Sequence, residues 1–298
     1  MAEPAPVSLD AVNGLDHAAF VALLGNLYEH APWAAERAWA ARPFATVRAL
    51  QAALAAAVQA ATADERLALV RGHPDLAGKA AVAGALTADS ALEQGSAGLD
   101  RLSPETFARF QRLNAAYHAR FAHPFIICVR RHTRDSILAQ FEKRLGHMPE
   151  AELAAALAEI DRIAALRLDA LVTGPGPLAV AGRLSTHVLD AARGVPAAGV
   201  AIELRELSRA GDHRLIWRGA TNGDGRTDQP LIAGRPIPVG SYELRFAVGA
   251  YFAGAGLALP DPPFLDIVPV RFAVAEPEGH YHVPLLATPW SYTCYRGS

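Results

Sequence analysis

The chain has 298 residues, 51% hydrophobic and 19% charged, with a formal net charge of -2. That length supports one large domain or two ordinary ones, and the near-neutral balance excludes a general attraction to nucleic acid or an acidic membrane. The two cysteines, Cys128 and Cys294, sit in different halves without metal-ligand spacing, which argues against a structural disulfide or a thiolate zinc site.

The first residues lack a basic segment followed by an apolar core, and no run approaches the roughly eighteen apolar residues of a membrane span. A cytoplasmic protein is therefore expected. Near residue 170 the composition changes. Before it, alanine dominates, with Leu and charged residues at helical intervals; after it, Gly, Pro and Val follow alternating patterns. A helical half joined to a β half is expected.

In the first half, residues 44–70 carry Leu50, Leu54, Val58, Leu67 and Val70 among alanines, with a break near Thr62-Ala63-Asp64. Ser103-Pro104 is a helix start, since Ser caps exposed N–H groups and Pro suits the first turn. The face that follows, Phe107, Phe110, Leu113, Asn114, Tyr117 and Phe121, is expected to be buried, so Asn114 must find partners within it. Further helices are expected over 134–145 and from Pro149 to Leu171, with Arg167 at the edge of an apolar face.

Polar segments interrupt these helices. In Arg71-Gly72-His73-Pro74-Asp75, Pro74 restrains the backbone after His73 and lets an imidazole be aimed. Ser90, Glu93 and Gln94 lie within one turn of each other, and an imidazole with a carboxylate can handle a proton while amides orient carbonyl or ureido groups. From the residue pattern alone, a capping histidine, a solvated acid and a surface arginine are the plainer readings of His73, Glu93 and Arg167.

HPDLAGK at 73–79, SALEQGSAGL at 90–99, FQRLNAAYHARFAHPFIICVR at 110–130 and LRL at 166–168 resemble the 2-oxo-4-hydroxy-4-carboxy-5-ureidoimidazoline (OHCU) decarboxylases, all-helical enzymes of urate breakdown. The resemblance implies His73 as catalytic acid/base with Glu93 beside it. It further implies Pro74, Ser90 and Gln94 at the substrate, main-chain groups of Phe125, Ile126, Ile127, Cys128 and Val129, and Arg167 gripping an anion. Where this chain has Ala122-His123-Pro124-Phe125, the family often has Gly-Phe-Pro-Phe.

Leu171 to Pro177 breaks the last helix, placing a linker over 172–182 between an N-terminal domain, 1–171, and a C-terminal domain, 183–298. In the second half, 184–189, 198–207, 213–219, 241–248 and 267–275 are expected strands, and 249–256 a short helix or crossover. Several short strands favour a β-sandwich. Thr221 to Asp228 has incomplete calcium-loop spacing and is better read as a Gly-rich turn. Alternation puts His280 and His282 on one face, though only one need enter a pocket. With His187, Arg226 and the final Tyr295-Arg296-Gly297-Ser298 they suggest a docked, not frayed, terminus. Since arginine cannot serve as a third metal ligand, hydrolysis by imidazoles is favoured over zinc chemistry.

LSTHVLD at 184–190, GVPAAGV at 194–200, DGRTD at 224–228, PFLDIVPVRFAV at 263–274, HYHVPLL at 280–286 and YRGS at 295–298 resemble the 5-hydroxyisourate hydrolases, the enzymatic branch of the transthyretin family. The resemblance implies His187, Arg226, His282 and Tyr295 as catalytic, with Arg296, Gly297 and Ser298 shaping the site. It also implies a tetramer formed through the C-terminal domain. Together the two resemblances imply consecutive reactions, ring opening and then decarboxylation to (S)-allantoin, needing neither metal nor organic cofactor, downstream of a urate-oxidising enzyme. The reading from another class is a transthyretin-like ligand-binding or scaffold protein with two inactive enzyme-like domains.

Overall fold

The computed structural model describes residues 5–78, 87–209, 211 and 213–297. The chain forms two compact units, one running to Arg130 and again over Ile137–Val180, the other comprising Arg131–Ser136 and everything from Ala181 onward.

The first unit is helical, and local chemistry sets its helix ends. The apolar stretch 44–70 folds as two helices, Val47–Gln59 and Ala63–Arg71. Thr62 separates them: its side chain accepts from Glu65 N–H while the Glu65 carboxylate accepts from Thr62 N–H, a reciprocal cap. Ser103 caps Pro104–Phe121 by accepting from Thr106 N–H, and Pro149 opens Pro149–Leu171 without needing a hydrogen bond of its own. The helix expected over 134–145 spans Arg134–Arg144.

Two apolar clusters hold these helices. One buries Phe20, Leu50, Leu54, Val70 and Ile160. The other stacks Phe110, Tyr117, Phe125, Ile137 and Phe141. The unit also holds a short parallel strand pair, Val7–Ser8 (β1) against Val172–Thr173 (β2). Residues after Leu171 continue along this unit, Pro175 and Gly176 accepting from Val47 and Arg48 N–H at the open start of their helix.

The second unit is a β-sandwich. One layer orders Ile267–Val274 (β10), Gly240–Ala247 (β9), Ala201–Leu207 (β6) and His213–Ala220 (β7), all antiparallel. The opposing strands are interrupted. Gly182–Ser185 (β3) and Val188–Asp190 (β4) follow one another, as do His280–His282 (β11) and Leu285–Ala287 (β12), and the two broken strands run parallel in register. The single strand expected at 184–189 is thus two, split at Thr186-His187. The remaining strands are Val195–Pro196 (β5), Ile232–Arg235 (β8) and Tyr292–Cys294 (β13); β8 and β12 were not separately legible in the sequence. Leu204, Leu244, Phe246, Val268 and Leu285 fill the interior. Val248–Gly254 is helical, as one of the two sequence readings had it.

Candidate active sites

In the helical unit a solvent-open pocket of about 350 Å³ is lined by His73, Pro74, Ser90, Glu93, Gln94 and Arg167, together with Ile127, Val129, Leu76, Ile163 and Glu29. His73 leaves the end of Ala63–Arg71 and is buried. Its Nδ1 donates to the Leu69 carbonyl, 2.9 Å away. Nε2 is then the atom left for chemistry.

Three amide side chains hold the turn after His73. Gln94 Oε1 accepts from Ala77 N–H at 3.1 Å, Gln111 donates to Ala77 O at 2.8 Å, and Asn114 donates to Leu76 O at 2.9 Å. The buried Asn114 is thus held through its amide nitrogen, while its Oδ1 has no partner among the described residues. Gln94 secures the turn bearing His73 as well as lining the pocket.

Arg167 and Glu93 face each other as a fork, Nε to Oε1 at 2.9 Å and Nη2 to Oε2 at 3.0 Å. Burial raises the Glu93 pKa, and Arg167 only partly opposes it. The carboxylate whose charge reaches His73 most strongly is another one, Glu29, which the sequence reading missed. It is 5% exposed, and Ser90 Oγ donates to it at 2.9 and 3.1 Å, Thr87 Oγ1 at 2.8 Å. Burial alone would raise its pKa, but these donors, His73 and Arg167 outweigh that and keep it low, so Glu29 is an anion. The one sequence signal for it is an acid set among apolar Leu27, Tyr28 and Ala31. Burial lowers the His73 pKa, against the pull of Leu69 O and Glu29.

Along 125–129 only Ile127 and Val129 line the pocket. Phe125, Ile126 and Cys128 are buried elsewhere, the Ile126 carbonyl accepting from Arg144 at 2.7 Å and Cys128 N–H donating to Glu159 at 2.8 Å. Ala122 ends the preceding helix in the left-handed region, φ 57°, where glycine is unstrained and alanine is not. His123 packs against Tyr117 and Phe121, with Nδ1 donating to Pro124 O. It fills an aromatic position.

The second cluster lies where both broken strands of the sandwich are interrupted. His187 Nδ1 is 2.9 Å from His282 Nε2, so one proton bridges the two rings, which lie 15° apart in plane. Ser185 Oγ sits 2.9 Å from the other ring nitrogen of His282. Gly225, at φ 71°, lets its turn approach so closely that a Cβ would stand 2.3 Å from Val188 O. That approach pairs Arg226 with His187 across a β-bridge. Asn222 Oδ1 caps the turn by accepting from Asp224 and Arg226 N–H. Burial, and then the Arg226 charge, lower the His187 pKa; burial, then His187 and Arg226, lower that of His282.

Gly297 N–H donates to His282 O at 2.9 Å, and a Cβ on Gly297 would meet the imidazole at 2.7 Å, so the terminus is docked against this histidine. The other terminal residues are less converged. Arg296 stacks on Tyr281, Tyr295 is 53% exposed, and Ser298 lies outside the described residues. His280 is exposed while His282 carries the contacts. Among the described residues no cluster of His, Cys, Asp and Glu could hold a metal ion, and no helix is long and apolar enough to cross a membrane.

Residues 13–169 match the OHCU decarboxylase family and 184–297 the HIUase/transthyretin family. A decarboxylase of that name from Haloferax volcanii (strain ATCC 29605) is 43% identical over 54% of this chain and 94% of its own. A 5-hydroxyisourate hydrolase from Rhizobium meliloti (strain 1021) is 53% identical over 39% of this chain and 97% of its own. A solved (S)-allantoin synthase is 34% identical, covers 98% of this chain and 100% of its own, and superposes with a TM-score of 0.51. The chain therefore belongs to two families at once, the OHCU decarboxylases through its helical unit and the HIUase/transthyretin family through its sandwich.

Proposed function

We propose that the protein is a bifunctional enzyme that hydrolyses 5-hydroxyisourate to OHCU in its sandwich and decarboxylates OHCU to (S)-allantoin in its helical unit. The observation that carries this is the likeness to an allantoin synthase along the whole chain, not along either half alone. The domains run 1–171 and 183–298, with the linker between them.

In the helical pocket Arg167 holds the substrate carboxylate, exchanging part of its fork with Glu93. A bound anion raises the proton affinity of His73, which becomes charged at Nε2 beside the anionic Glu29. Loss of CO2 leaves an electron pair spread into the neighbouring imine and carbonyl groups. Protonation by His73 on one face makes one enantiomer. Glu93, Ser90 and Gln94, with the 125–129 segment, fix the ring so that only that face is offered.

In the sandwich, His187 and His282 activate water while Arg226 holds the oxygens that gain charge as the ring amide opens. Tyr295 is the further catalytic candidate there, with Arg296 and Gly297 beside it, Gly297 docked on His282. Association into a tetramer is supported by large apolar side chains left exposed on the sandwich, Phe264 and Trp290 above all. A urate-oxidising enzyme would supply the first substrate.

Adding the chain to freshly oxidised urate, followed by NMR and circular dichroism, should show both intermediates vanishing faster than they decay alone and a product of one hand. Stoichiometric binding without turnover would instead identify a carrier. For the hydrolytic step the pH profile is fixed in sign. Both imidazoles must be neutral to act, and burial sets their pKa values below the ordinary 6.5. Activity is therefore full at neutral pH and lost as pH falls through the lowered values. The acid limb of kcat/KM should have its midpoint below pH 6.5; a midpoint at or above it would contradict this account.

A further inference from the structure

Ser185 is a further polar side chain at the hydrolytic cluster, bonded to His282. It is the register partner of His282 on the neighbouring parallel strand. The backbone fixes this pairing on both sides: Val283 N–H donates to Ser185 O at 3.0 Å, and Leu285 N–H donates to His187 O at 2.9 Å. Thr186, pointing the other way, locks the same level by donating to Val283 O at 2.6 Å. The result is a row of three side chains, Ser185 Oγ to His282 Nδ1 and His282 Nε2 to His187 Nδ1, each step 2.9 Å.

Two neutral imidazoles in such a row have two proton arrangements. If Ser185 donates to His282 Nδ1, then His282 Nε2–H donates to His187 Nδ1, and His187 carries its own proton on Nε2, where it cannot act as a base. If Ser185 accepts from His282 Nδ1–H, then His187 Nδ1–H donates to His282 Nε2, and His187 Nε2 is bare. We propose that Ser185 is a positioning residue for hydrolysis which, by accepting the His282 Nδ1 proton, sets the pair in the arrangement that makes His187 the general base.

This inference rests on the hydrolase reading and deepens it. As water oxygen adds to the ring carbonyl carbon, one water proton passes to His187 Nε2. The imidazolium returns that proton to the departing nitrogen when the C–N bond breaks, and the histidines end as they began. Without the Ser185 hydroxyl, an imidazole falls back toward its Nε2–H form, which protonates the wrong end of the row.

The test uses the full chain with 15N-labelled histidine, its tautomers read by long-range 15N–1H NMR without substrate, and kcat measured on freshly generated 5-hydroxyisourate. In the unaltered chain both His187 and His282 should carry their proton on Nδ1. Ser185→Ala should move His282 toward Nε2–H and lower kcat about tenfold or more, with KM within about twofold, since a correctly protonated base contributes roughly 10²–10⁴-fold. Ser185→Thr, which keeps the hydroxyl, should restore both readouts. The dispersion of the amide NMR spectrum of the same samples reports that the sandwich is folded. Unchanged kcat or unchanged tautomers in Ser185→Ala, or a loss confined to KM, would overturn the proposal. An unaltered chain that leaves 5-hydroxyisourate untouched would overturn the hydrolase reading itself, while the tautomers would still report on Ser185.

Discussion

His73→Ala should abolish enzymatic CO2 release, lowering decarboxylation about 10²–10⁴-fold, while consumption of 5-hydroxyisourate continues at the original rate. His282→Ala should do the reverse. The division follows from composition of the sites: one is built from residues between Glu29 and Arg167, the other from residues between Ser185 and Gly297, with no side chain in common. His73→Ala removes the only imidazole lining the first pocket among the described residues, and with it the group that delivers a proton to one face. Its product, formed by uncatalysed loss of CO2, should be racemic. His282→Ala removes the link between Ser185 and His187, so the remaining imidazole loses its orientation as well as its partner. Each substrate supplied separately, with CO2 release, NMR and circular dichroism as readouts, decides the matter. Equal rates of mutant and original in the assigned step would defeat the division of labour.

What was legible in the sequence was what neighbours in the chain decide. Thr62, Ser103 and Pro149 announce helix starts because a cap needs only the next few residues. The split between helical and β halves is likewise a matter of local periodicity. The candidate residues came from motifs, and the structure gathers His73, Ser90, Glu93, Gln94 and Arg167 around one pocket and His187 and His282 into one hydrogen bond. The partners could not be read in the same way. Glu29 meets Ser90 across 61 positions of sequence, and His187 meets His282 across 95. Nothing in a run such as Leu27-Tyr28-Glu29 says where its acid ends up. Nor could spacing show that the Arg167 fork is engaged by Glu93, or that Ser185 rather than Thr186 faces the imidazoles. That choice depends on a strand break whose position is set by the neighbouring strand.

The largest stability effect belongs to a residue that no motif singles out. Glu152, fully buried at the start of Pro149–Leu171, accepts from Arg144 Nε at 3.0 and 3.2 Å, from His147 Nδ1 at 2.9 Å, and from the Tyr117 hydroxyl. Arg144, also buried, lies over the Phe125 ring and donates to Ile126 O. Glu152→Ala strands this guanidinium in an apolar setting, which costs about 3–5 kcal/mol against a total of roughly 5–15 for a domain. Helical circular dichroism in urea should show the first unit unfolding at a much lower midpoint, with decarboxylation lost as the 125–129 segment loses its anchor and hydrolysis retained. Pairing Arg144→Met with Glu152→Leu removes both charges together and should recover most of the midpoint, because an apolar pair of similar volume needs no compensation. Decarboxylation should recover less, since Ile126 O is then left without its donor. A midpoint for Glu152→Ala equal to that of the unaltered chain would show that the network contributes nothing to the fold. A double variant no better than the single one would show that packing, not the unpaired charge, sets the cost.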